Sequence, residues 1–191
     1  IADNIRVVLY SGNMGKKQGL ELVLDAAERF KDKKDVLFLM VGQGAACAEL
    51  QAMAQSKQLL NVRFEPLQPY NELPMLLALA DIHLVIQKMG AADVVLPSKL
   101  TGILSVGGHA LITAEPTTEL GLLIERFANI AQRVEPENLD IFVAALEKML
   151  NTDTKAINQV ARQYAEDFLN QHAILERFEQ EVEALIAKNI C

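Results

Sequence analysis

Three glycines and two lysines fall within SGNMGKKQG, residues 11–19, directly after an apolar run and directly before an amphipathic one. Gly12, Gly15 and Gly19 allow close backbone approach to a ligand, and Lys16 and Lys17 add positive charge. Those are the parts of a phosphate cradle. The spacing G-x-x-G-x-x-x-G is neither the dinucleotide fingerprint G-x-G-x-x-G nor a P-loop ending in G-K-[ST]. A plain strand-to-helix turn therefore stays open beside the phosphate reading. A second pair, Gly42 and Gly44 in VGQGAA, lacks a third glycine and reads as a tight turn. A third stretch, VVLPSKLTGILSVGGHALIT (94–113), starts a helix after Pro97, with Ser98 as its cap. Lys99 in that first turn opposes the helix dipole unless an anion lies between them; a surface lysine with its stem on apolar neighbours is the alternative.

Composition narrows the partners. A length of 191 residues suits one domain with a substantial core, and the formal net charge of -7 argues against a nucleic-acid binder. No apolar run reaches the roughly 18 residues of a membrane span; the longest, LPMLLALADIHLVI (73–86), is cut by Pro74, Asp81 and His83. Without a signal peptide the expectation is cytoplasmic, with peripheral placement at the inner membrane face left open for a longer protein. Cys47 and Cys191 make no disulfide framework, and the three histidines make no zinc motif. KDKK (31–34) reads as a solvated connection. The opening IADNIRVVLY has no initiator methionine and reads as a piece of a longer protein.

The elements that must position these loops alternate regularly. Strands are expected at 5–11, 36–41, 62–64, 82–87, 110–113 and 130–134, with helices at about 20–30, 45–57, 73–80, 99–106, 119–127 and 139–150. Short apolar strands without polar alternation imply a parallel sheet covered on both faces. The expected class is α/β, a Rossmann-like three-layer sandwich with six parallel strands over residues 1–152 and helices only from 153 to 191. In such a sheet ligands sit beyond the carboxyl ends of the strands, where all three glycine or proline loops fall.

Taken in order, LYSGNMGKKQGLELVLDAA, LFLMVGQG, VRFEPLQPYNELPMLLALADIHLVIQ, LPSKLTGILSVGGHALIT and TELGLLIERFANIAQRVEPENLDIFVAALEKML resemble the C-terminal half of retaining GT-B nucleotide-sugar glycosyltransferases. Bacterial polysaccharide enzymes of the colanic-acid type are the most similar in pattern. The resemblance implies a UDP- or GDP-sugar donor, no metal and no separate cofactor. It implies that Gly12, Asn13 and Gly15 line the donor phosphates with Lys16 and Lys17, and that Gly42 belongs to the same edge. It further implies that the loop of Pro66, Leu67 and Pro69 holds the base through main-chain groups. The helix start at Ser98, Lys99 and Leu100 would grip the diphosphate. The chain departs from the family at Asn13, where an arginine is usual, and at Gln18, where a lysine is usual. The family's paired glutamates fall on Val94 and Gly102; Asp93 is one residue away, and Glu119 is the other candidate for the ribose, or simply a dipole complement. The acceptor would bind an N-terminal domain outside this chain, so the chain alone is expected to bind nucleotide without transferring sugar. The last helix, with an apolar stripe at Ile174, Phe178, Val182 and Leu185, would cross back to that domain; docking on its own core or weak homodimerisation are the other readings.

A dehydrogenase-type dinucleotide domain would need an acid where the second strand ends, and the chain has Gly42 there. A receiver domain would need a phosphorylatable aspartate at a strand end, where Ser11, Gly42 and Gln87 stand instead. A GT-B sugar-nucleotide epimerase would share the fold but should carry more carboxylate and histidine around the sugar.

Overall fold

The computed structural model describes residues 1–2, 4–90, 97–152 and 154–189. Its strands are β1 (Arg6–Asn13), β2 (Val36–Gln43), β3 (Val62–Glu65), β4 (Ile82–Val85), β5 (Ala110–Thr113) and β6 (Gln132–Val134). Every neighbouring pair is parallel, in the order β3-β2-β1-β4-β5-β6. The order reverses beside β1, where an open parallel sheet leaves a crevice at its carboxyl edge.

Residue choice accounts for the layers. Along β1, Val8 and Tyr10 belong to the core on one face while Val7 and Leu9 belong to the core on the other, as the period of two requires. The first core is closed by α1 (Glu21–Arg29), α2 (Cys47–Ser56) and α6 (Leu139–Leu150), through Val23, Leu24 and Ala27, Leu50 and Ala54, and Phe142 and Leu146. The second is closed by α3 (Leu73–Ala78), α4 (Ser98–Ser105) and α5 (Glu119–Arg126), through Leu77, Leu100, Ile103 and Leu120. The expected three-layer α/β sandwich is what the chain forms.

Several boundaries differ for identifiable reasons. β1 runs to Asn13 instead of ending at 11, because Gly12 and Asn13 continue the ladder against Gly42 and Gln43. α2 starts at Cys47, since the Ala46 N–H donates to the Met14 carbonyl. β4 stops at Val85; the Gln87 N–H and C=O are both taken by the Thr113 hydroxyl, at 2.7 and 2.8 Å. The Ile130 N–H closes a turn on the Phe127 carbonyl, so β6 begins only at Gln132. Ser98 is not a cap: Pro97 holds that position, and Ser98 is the first helical residue with no capping side-chain bond.

The helical tail begins inside the core. In α7 (Gln159–Tyr164) Ala161 is fully buried, and Asn158 caps the helix while its amide donates to the Asn129 carbonyl. A π-helical turn (165–169) stacks Phe168 on Tyr164 and packs both against Phe127. α8 (Gln171–Asn189) follows with Ile174, Leu175, Phe178, Val182, Leu185 and Ile186 all exposed.

Candidate anion-binding site

The carboxyl edge of β1 and β2 is shaped by glycines. Gly12 and Gly42 face each other across the ladder, both at positive φ, and a β-carbon on Gly42 would fall 1.9 Å from the Gly12 carbonyl oxygen. One on Gly44 would fall 2.5 Å from the Met14 carbonyl. The second glycine pair is therefore a seat for the first loop. Met14 is buried, its N–H donating to the Gln43 carbonyl and its carbonyl accepting from Ala46. The Tyr10 hydroxyl donates to the Asn13 carbonyl at 2.6 Å. The loop is thus fixed from below by two backbone bonds and a buried phenol.

Into that edge comes Lys99. A β-carbon on Gly12 would stand 3.3 Å from its Nζ, so the first loop and the start of α4 meet, as the sequence expected. The ammonium lies 4.1 Å from the centroid of the Tyr10 ring. Among the described residues no carboxylate pairs with it. Burial without a counter-charge pushes its pKa down to about 8. The helix N-termini nearby are open: α1 and α4 have no capping side-chain bond, as is also true of α2, whereas α5, α6 and α7 are capped by Thr118, Asn138 and Asn158. A helix start without a capping side chain, its dipole and a cation with no carboxylate partner among the described residues are the parts from which an anion site is built.

The other expected residues are distributed around it. Gly15 sits under Gln18, whose Oε1 is buried without a partner, and Asn13 is exposed beside it. Lys16 turns outward to an exposed 2.8 Å ion pair with Glu49, and Lys17 is exposed. Leu100 sends its side chain into the second core. In the loop after β3, Leu67 is exposed and the Pro66 carbonyl accepts from the Gln68 amide; the Pro69 carbonyl accepts from Glu72 N. Glu119 is exposed in the first turn of α5. Asp93 and Val94 lie outside the described residues.

Sequence reasoning missed Lys88. Its stem runs along Gly19, where a β-carbon would meet Lys88 Cγ at 2.8 Å, so it crosses the start of α1. The signal was available: a lysine just past an apolar strand falls at the ligand edge of a parallel sheet. The connection after it is tied down by acids, with Met89 N donating to Glu137 and Gly90 N to Glu115, each at 3.1 Å.

The family model for glycosyl transferases group 1 matches residues 1–167. The chain is 52% identical over 178 residues to the Escherichia coli K12 protein named "Putative colanic acid biosynthesis glycosyl transferase WcaI", covering 93% of this chain and 43% of that one. Anabaena HepE, crystallised with UDP and glucose, superposes with a TM-score of 0.78 at 15% identity, over 94% of this chain and 48% of its own. A glycosyltransferase from Rickettsia africae gives 0.72 at 18% identity, over 98% and 49%. The chain spans about half the length of these relatives or less.

Proposed function

This chain belongs to the group 1 glycosyl transferases, and we propose that it is the donor-binding half of a retaining hexosyltransferase of exopolysaccharide or lipopolysaccharide biosynthesis. Its ligand is a UDP- or GDP-sugar. The observation that carries this reading is the buried Lys99 ammonium beside Gly12, at the start of α4, with no carboxylate partner among the described residues. The names of WcaI and the UDP and glucose bound to HepE support it.

In this reading the diphosphate lies across Gly12 to Gly15, with Lys99 on one side and Lys88 on the other. As the bond between the sugar and the diphosphate breaks, negative charge grows on the leaving group. Fixed N–H dipoles and the desolvated ammonium stabilise that charge without reorganising. The base rests on the Pro66–Pro69 loop, and Glu115, Glu119 and Glu137 are the nearby carboxylates for the ribose and sugar hydroxyls. Residues 1–152 form the donor domain. The tail from 153 leads into α8, whose exposed apolar side chains cross to an acceptor-binding domain.

Calorimetric titration of the chain with UDP, GDP, ADP and uridine tests this. A nucleoside diphosphate binds where uridine binds far more weakly, and no sugar is transferred by this chain alone. Failure of all three diphosphates to bind contradicts the reading.

A further inference from the structure

We propose that Tyr10 is the positioning residue of this site: its ring seats the Lys99 ammonium and its hydroxyl holds the Asn13 carbonyl, so cation and glycine loop are presented as one unit. This rests on the reading of the site as a diphosphate cradle, which it deepens. Tyr10 is fully buried on the central strand, two residues before Gly12. Core packing alone would be served by phenylalanine, yet the hydroxyl makes a 2.6 Å bond to the loop it precedes. Burial raises the phenol's pKa, so it stays protonated and remains a donor. The same ring lies 4.1 Å below Lys99 Nζ. An ammonium lacking a carboxylate is held by the negative face of a ring, which attracts it without neutralising it. A carboxylate there would bind the lysine more tightly but would cancel the charge a diphosphate needs. The Tyr10 ring lies against the ammonium, and burial is what lowers the lysine's pKa.

The test separates ring from hydroxyl. Tyr10→Phe keeps the ring; pentafluorophenylalanine at position 10 keeps the shape and reverses the ring's electrostatics. Each protein is titrated by NMR of the Lys99 side chain, assigned with Lys99→Arg, and its UDP affinity is measured from pH 7 to 10. Tyr10→Phe leaves the Lys99 midpoint near 8 and weakens UDP by about fivefold, the equivalent of one hydrogen bond. The fluorinated ring moves the midpoint down by about one pH unit, and the UDP profile moves with it. Equal midpoints with the two rings overturn the seat, and unchanged UDP affinity in Tyr10→Phe overturns the hydroxyl's part. A midpoint that follows the ring while UDP affinity ignores pH leaves the seat standing and removes the diphosphate from it.

Discussion

Lys99 owes its low pKa of about 8 to an ammonium withdrawn from water, so anything that restores a counter-charge raises it again. A bound diphosphate does so, and binding above pH 8 must take up a proton. Nucleotide affinity therefore falls by up to about tenfold per pH unit above 8, and calorimetry in buffers of different ionisation enthalpy measures the proton directly. In Lys99→Met the affinity is lower and this dependence is gone. If the half-buried Lys88 is the second cation of the site, Lys88→Ala weakens UDP by about three- to tenfold, with the pH profile kept. His83 is a different case, on β4 away from the carboxyl edge. It is buried with Nε2 unpartnered, and burial, with His109 adding to it, pushes its pKa from 6.5 down to about 4. The unfolded chain takes up the proton near 6.5 and the folded chain only near 4. Stability thus falls as pH drops through that window, by about 3 kcal/mol in all, and the loss levels off below it. Urea melts from pH 7 to 3.5 read this slope, and His83→Leu flattens it.

At the scale of elements, two loops and two helix starts frame the candidate site, and glycine decides how closely they meet. Gly42→Ala sets a β-carbon 1.9 Å from the Gly12 carbonyl at a φ of +144°, a clash that must part β1 from β2. A loss of at least about 2 kcal/mol is expected, read as a drop of roughly 4–8 °C in thermal melting, together with weakened UDP binding. The strands and the layers were legible because strands buried on both faces write unbroken apolar runs, and helices write a period of 3.6; the order of the strands in the sheet was not read from the sequence. The approach of Lys99 to Gly12 was legible because both lie at the carboxyl edge of a parallel sheet. What was not legible depended on single side-chain contacts that no local pattern encodes. Periodicity says nothing of Lys88 lying on Gly19, or of Tyr10 reaching both Asn13 and Lys99. Lys16 was equally beyond reach, because its turn toward Glu49 is set by where α2 begins.

At the scale of the whole molecule, two cores share one sheet and the last helix carries an exposed apolar stripe. Asn158, Ala161 and Ala165 tie the tail to the sheet, whereas α8 carries exposed Ile174, Phe178 and Leu185. Truncation after Asn170 is therefore expected to change the melting temperature by less than about 3 °C, while truncation before Asn158 unfolds the domain. A large drop in the first case would assign α8 to this domain's own core. Sedimentation of the two lengths shows whether α8 self-associates. The central claim, that the sheet's carboxyl edge brings Gly12 and Lys99 to one diphosphate, is tested most directly by titrating the wild-type chain and Lys99→Ala with UDP and with uridine. The account predicts that Lys99→Ala weakens UDP by about ten- to hundredfold, leaves uridine unchanged and keeps the fold. Equal losses for UDP and uridine, or none for either, would contradict it.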